Sequence, residues 1–97
     1  IAASKSALEG LTKSLASEYA SAKVCFNAVA PSLTNTPMAG NLLKTDRQVE
    51  ANEERNPMKQ IGKPEQIANS INFLLDAHNN WMTGQIIPVD GGMGNLK

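Results

Sequence analysis

Two short apolar runs constrain this sequence more than anything else in it. Lys23 to Ala30 reads Lys-Val-Cys-Phe-Asn-Ala-Val-Ala and is closed by Pro31; Gln85 to Val89 reads Gln-Ile-Ile-Pro-Val. Short runs with so few polar residues suit strands buried on both faces, as in a parallel sheet. Pro31 cannot donate to a ladder, so it ends the first strand. Asp90-Gly91-Gly92 ends the second sharply, and Thr83-Gly84 turns the chain into it. Two such strands joined through helices form a right-handed βαβ unit. Two strands alone leave open edges and bury little area, so further strands or oligomerisation are expected to complete the stability.

Helices account for most of the rest. Residues 1 to about 20 carry Leu8, Leu11, Leu15 and Tyr19 at the spacing of one helical face. Glu9 and Lys13 sit four apart in the favourable order on another face. Gly10 lowers helix propensity and marks an expected close approach to a neighbouring element. Ser32 to Pro37 is a loop of turn-forming residues. Residues 38 to 55 are expected to be helical in one or two pieces, with Thr45 or Asp46 capping a charged, lid-like second piece, Arg47 to Arg55. Gly62-Lys63-Pro64-Glu65 starts a helix, with Pro at its first position and an acid near the positive dipole end. That helix runs to about Asp76 with Ile67, Ile71, Leu74 and Leu75 on its buried side, and His78-Asn79-Asn80 breaks it.

Composition removes several function classes. Nine basic residues balance nine acidic ones, which argues against a nucleic-acid or anionic-membrane footprint. No apolar stretch approaches a membrane span. A single cysteine, Cys25, cannot build a disulfide framework and lies in an apolar run, so it is expected to be a buried, inert thiol in a reducing cytoplasm. His78 is expected to partner terminal helix carbonyls, and no metal site is expected. The chain opens at Ile1 inside a helical pattern with no cap before it, so upstream residues are expected to be missing.

Four segments together resemble the short-chain dehydrogenase/reductase family over nearly the whole chain. They are Ala2-Ala3-Ser4-Lys5-Ser6-Ala7-Leu8-Glu9-Gly10-Leu11-Thr12, Asn27-Ala28-Val29-Ala30-Pro31-Ser32 and Thr34-Asn35-Thr36-Pro37-Met38. The last begins at Gly62-Lys63-Pro64-Glu65, passes through Phe73-Leu74-Leu75 and ends with Thr83-Gly84-Gln85-Ile86-Ile87-Pro88-Val89-Asp90-Gly91-Gly92-Met93. The resemblance implies an α/β fold, the C-terminal part of a Rossmann-type doubly wound parallel sheet in the order helix, strand, helices, strand. Residues 1–97 then form the C-terminal portion of one NAD(P)-binding domain. The seven glycines contain no G-x-G-x-x-G arrangement, so the phosphate-binding half is absent.

The resemblance also assigns roles. A family Tyr gives or takes the proton, and a Lys four residues later holds the nicotinamide ribose and lowers the Tyr pKa. Lys5 matches that lysine and is the catalytic and ribose-binding candidate. Position 1, where the Tyr belongs, is Ile, whose side chain has no proton to give. Read without the family pattern, Lys5 is a solvated lysine in a first helical turn. Pro31, Ser32, Thr34 and Thr36 form the loop implied to run along the nicotinamide, with backbone near Thr34 and the Thr36 hydroxyl on the carboxamide. Ser32 stands where the family usually has Gly. Thr36 also suits an N-cap before Pro37, and both readings can hold at once. Asp90 belongs to a structural final turn, and Trp81 with Met82 packs either at a subunit contact or on the substrate side.

Two functions are consistent with these residues. The first is an NAD- or NADP-dependent oxidoreductase transferring hydride between the cofactor and a small carbonyl or alcohol substrate. The implied assembly is a homo-oligomer, dimer or tetramer. The second, favoured by Ile1, is a catalytically inactive nucleotide-binding or scaffolding member of the same fold. The 97 residues alone, without a pyrophosphate cradle, are expected to show no measurable dinucleotide affinity; micromolar NADH binding in a calorimeter would contradict this.

Overall fold

The computed structural model describes residues 2–96. In order, helix α1 spans Ala2–Tyr19 and continues into a 3-10 turn at Ala20–Ala22, and strand β1 is Ala28–Pro31. A 3-10 helix at Pro37–Leu42 precedes α2, Asp46–Arg55; then follow α3, Pro64–Leu75, and strand β2, Ile86–Val89. The strands pair in one parallel two-stranded sheet, order β1–β2, so the α/β reading and the helix, strand, helices, strand order hold.

Contacts gather in two units, Ile1–Val29 with Ile71–Ile87, and Ala30–Ser70 with Pro88–Lys97. In the first, α1 buries Thr12 and Ala16, four residues apart on one face. Ala16 is small because Gly84, at φ +74°, comes close: a Cβ there would lie 3.5 Å from the Ala16 Cβ. The Thr12 hydroxyl donates to the Leu8 carbonyl at 2.8 Å, so its polarity is met inside the helix. Thr83 and Asn27 join the segments that enter the two strands. The Phe26 amide donates to Thr83 Oγ1 at 3.0 Å, Asn27 Nδ2 donates to the Met82 carbonyl at 2.9 Å, and the Gln85 amide donates to Asn27 Oδ1 at 3.1 Å. The rings of Tyr19 and Phe26 lie 5.6 Å apart in a tilted contact.

The second unit buries Ala39 and Asn56. Thr45 caps α2 with a full capping box: its side chain accepts from the Gln48 amide, and the Gln48 side chain accepts from the Thr45 amide. Of the two candidate caps, Thr45 is the one used. At the other end the Lys59 ammonium reaches back to the Glu54 carbonyl at 2.7 Å. Asn56, just beyond α2, donates from Nδ2 to the Asp90 carbonyl at 2.9 Å and accepts the Met58 amide on Oδ1 at 2.9 Å. The Asp90 carboxylate accepts the Gly92 and Gly94 amides at 2.9 and 3.1 Å, which folds the final turn. Gly91 and Gly92 take φ of +62° and +87°, so glycine is required there.

Several expectations need correction. The expected strand 23–30 is shorter, starts at Ala28 and includes Pro31, whose exposed terminal position needs no N–H. Neither strand is buried on both faces; their residues are half-buried or exposed, because each strand has one neighbour. Cys25 is exposed rather than buried, in the segment before β1. The Leu8, Leu11 and Tyr19 face of α1 is exposed, as are Ile71 and Leu75 of α3, while Leu15, Ile67 and Leu74 are half-buried. Gly10 has nothing within 4 Å of a Cβ position, so no close approach explains it among the described residues. Glu9 and Lys13 form no ion pair; the described pairs are Lys59–Glu54 and His78–Asp76. His78 thus meets the Asp76 carboxylate, at 3.2 Å from Nδ1, and not helix carbonyls. Trp81 is exposed in the isolated chain.

Asn56 is buried with both ends of its amide used, so its replacements separate packing from polarity. Asn56→Ala leaves the Met58 amide unpaired and takes one donor from the Asp90 carbonyl, which keeps the long bond from Ser32, a cost of ~1–3 kcal/mol. Asn56→Asp keeps the acceptor but sets a carboxylate oxygen against the Asp90 carbonyl, so urea unfolding of the protein is expected to rank it below Asn56→Ala. Gly91→Ala brings a Cβ to 2.4 Å from Asn56 Oδ1 at positive φ, and the same measurement is expected to show a loss of ~1 kcal/mol or more.

Candidate cofactor site

The loop that leaves β1 is the best-defined part of the candidate site. Thr34 and Gly62 form an isolated parallel bridge. The Gly62 amide donates to the Leu33 carbonyl at 3.0 Å, and the Gly62 carbonyl accepts the Asn35 amide at 2.9 Å. In a parallel bridge the residue between the two bonded neighbours turns its own N–H and C=O to the opposite side. The Thr34 N–H and C=O have no protein partner among the described residues. Two unpaired peptide groups on one residue, at the carboxyl end of a strand, suit a ligand amide that offers one donor and one acceptor.

The side chains around this peptide divide by task. Thr34 Oγ1 donates to the Ser32 carbonyl at 2.9 Å, so the hydroxyl stiffens the loop and leaves the backbone to face outward. Ser32 Oγ points to the Asp90 carbonyl at 3.4 Å, a long bond beside the 2.9 Å bond that Asn56 makes to the same oxygen. Ser32 has no positive φ, so a non-glycine residue fits this backbone without strain. Thr36 stands as the N-cap residue before Pro37, with extended φ and ψ, yet its side chain makes no capping bond. Its hydroxyl is therefore unused among the described residues. Pro31 is the exposed last residue of β1 and fixes the direction in which the loop departs.

Gly62 and Gln60 line two grooves in the same unit. One, of about 330 Å³, includes Ser32, Asn56 and Asp90; the other, of about 420 Å³, includes Asn35, Val49 and Lys63. No group of three His, Cys, Asp or Glu among the described residues could hold a metal ion.

Lys5 lies in the first turns of α1, exposed, with no ion pair or hydrogen bond from its ammonium among the described residues. No acid occupies the first turn of that helix, so nothing on it offsets the cation near the positive dipole end. Ile1, the residue at the expected proton-donor position, lies outside the described residues.

Gly62 and Asn56 are residues of the candidate site that the sequence did not reveal. Gly62 read as punctuation before α3, because its partners are 27 to 29 positions away. Asn56 falls between the segments read from the sequence; its only local signal is the Asn-Pro dipeptide, which marks a turn and carries no information about Asp90.

A profile of the family described as enoyl-(acyl carrier protein) reductase matches residues 1–94. The chain is 40% identical over 92 residues to a 3-oxoacyl-(acyl-carrier-protein) reductase of Thermotoga maritima, covering 95% of this chain and 37% of that protein. It is 40% identical over 94 residues to a tropinone reductase homolog of Datura stramonium, covering 94% and 35% respectively. Among solved structures, a putative gluconate dehydrogenase from Agrobacterium tumefaciens superimposes with a TM-score of 0.88 at 31% identity, covering 96% of this chain and 37% of that one. A 4-hydroxyisoleucine dehydrogenase complexed with NADH gives 0.90 at 26% identity, over 98% and 39% of the two chains. ElxO with NADP bound gives 0.85 at 30%, over 97% and 38%. The chain thus spans little more than a third of the length of the relatives it matches. The match of family profile, relatives and fold along almost its whole length makes this chain a member of the short-chain dehydrogenase/reductase family.

Proposed function

We propose that the chain carries the nicotinamide end of an NAD(P)-dependent oxidoreductase of the short-chain type, moving hydride between the cofactor and a small carbonyl or alcohol. The observation that carries this reading is the Thr34 peptide. Its N–H and C=O are left without partners among the described residues by the bridge to Gly62, in the loop that follows a parallel strand. A nicotinamide carboxamide has one group to match each of them. The unused Thr36 hydroxyl adds a third polar contact, while Pro31 and Ser32 set the path of the backbone.

When bound, the dinucleotide supplies or accepts the hydride. The residues of this chain do the rest. Thr34 and Thr36 hold the carboxamide, so that one face of the ring meets the substrate. Lys5 holds the nicotinamide ribose through its ammonium, and with Ile1 at the Tyr position the proton comes from another group. Residues 38 to 55, held together by the α2 capping box, close over the substrate. Solved relatives with NADH and with NADP support a nicotinamide dinucleotide of either kind. The exposed Leu8 and Leu11 of α1 suit a subunit contact in a homo-oligomer, dimer or tetramer. No described helix is long and apolar enough to cross a membrane; the reading places the protein in the cytoplasm, away from nucleic acid and membrane.

Ile1 favours a second reading, a member that binds a nucleotide or serves as a scaffold without turning over substrate. An aliphatic residue where the family's Tyr belongs offers no proton. Spectrophotometric oxidation of NADH or NADPH by the full-length protein with a panel of carbonyl compounds separates the two. Turnover supports the oxidoreductase; cofactor binding without turnover supports the scaffold and sinks the first reading. Within the first reading, Thr36→Val is expected to raise the dinucleotide KM about fivefold, the loss of one hydrogen bond worth ~1 kcal/mol. Lys5→Ala removes a charged contact of ~1.5–3 kcal/mol and is expected to raise the dinucleotide KM more strongly in the same assay.

A further inference from the structure

We propose that Gly62 is a positioning residue for the nicotinamide loop, fitted to the Thr34 backbone by having no side chain. The role rests on the dinucleotide reading above and assigns to Gly62 the register of the loop in it.

Gly62 grips the loop on both sides of Thr34, through the Leu33 carbonyl at 3.0 Å and the Asn35 amide at 2.9 Å. It is this pair of bonds that faces the Thr34 peptide away from the protein. A shift of one residue in the bridge would direct the peptide groups of Leu33 or Asn35 outward instead. The bridge is a single isolated one, with no ladder beyond it to preserve the register if it opens.

Two properties commonly make a glycine necessary, and only one applies here. Gly84, Gly91 and Gly92 have positive φ; Gly62 does not. Alanine at 62 therefore meets no backbone penalty of that kind. What it meets is space. A Cβ at 62 would stand 3.1 Å from Thr34 Oγ1 and 3.4 Å from the Leu33 carbonyl oxygen. The hydroxyl is not free to swing aside without loss, because it donates to the Ser32 carbonyl at 2.9 Å. The crowding is thus passed to the residue whose peptide is offered to the cofactor, and to the carbonyl that forms half of the bridge. A methyl group at 62 pushes the loop by a few tenths of an ångström, on the scale at which hydride-transfer geometry is sensitive.

The test is made on the full-length protein, comparing the unaltered form with Gly62→Ala, Thr34→Ala and the double variant. Dissociation constants for NADH and NADPH are measured by titration, amide exchange at Asn35 by NMR, and melting temperature by calorimetry. Gly62→Ala is expected to weaken dinucleotide binding about tenfold or more and to speed exchange of the Asn35 amide, whose carbonyl partner has moved. Removing the crowded hydroxyl is expected to restore much of this, so that the double variant binds within about threefold of Thr34→Ala alone, a non-additivity that contact between the two residues demands. Gly62→Ala with unchanged affinity overturns the role, even if the melting temperature falls. So does a double variant in which the two losses simply add. A protein that binds neither dinucleotide in unaltered form overturns the oxidoreductase reading and this role with it. A protein that binds well, and equally well as Gly62→Ala, overturns the role of Gly62 alone.

Discussion

Two backbone hydrogen bonds at Gly62 decide what the segment after β1 can offer. They engage the Leu33 carbonyl and the Asn35 amide, and so leave the peptide of Thr34 unspent. The remaining polar atoms of the loop are used to keep that arrangement. Thr34 Oγ1 folds back on the Ser32 carbonyl, and Ser32 Oγ leans on the Asp90 carbonyl that Asn56 also holds. Inward-facing groups are spent on stiffness and the outward-facing peptide is spared. A site made this way depends little on side-chain identity at Thr34 and heavily on where the chain passes. That is why a glycine distant in sequence matters to it.

How much of this was readable in the sequence depends on the range of the interactions. The helix starts were legible because their signals are local. Pro64 opens α3, and Thr45 with Gln48 closes a box three residues long. The turn at Asp90-Gly91-Gly92 was legible for the same reason, since only glycine adopts those φ values comfortably. Strand identity was also legible from apolar runs, but strand burial was not. Periodicity says which side chains are able to be covered, while coverage depends on neighbours that a run of residues does not encode. Cys25 and Leu8 illustrate the gap, both apolar in pattern and both exposed. The candidate site divides along the same line. Pro31, Ser32, Thr34 and Thr36 follow from a resemblance at the level of motif, whereas Gly62 meets Leu33 and Asn35, and Asn56 meets Asp90, at least 27 positions away.

Burial in the described residues is carried by small and polar groups rather than by large apolar ones. Thr12, Ala16, Ala39 and Asn56 are the buried residues, and the larger aliphatic and aromatic side chains lie at or near the surface. A core of that kind derives little from the hydrophobic effect, which scales with apolar area removed from water. Specific polar contacts therefore have a larger share in holding the local geometry. The Asn56 amide is the clearest case, with one end on Asp90 and the other on Met58.

The polar stapling of α2 has a consequence in time. Its bonds are all short-range: Gln48 reaches Asn41, seven residues away, and Asn52 reaches Leu42, ten residues away. Contacts this local close on the order of 10–100 ns for a loop of ten residues, and a helix of this size relaxes within ~1 μs. Sheet pairing across more than fifty residues of sequence is slower by its nature, because a long loop must close first. The contacts of the segment from Asn41 to Arg55 thus close and reopen many times over in the interval that the sheet needs to pair.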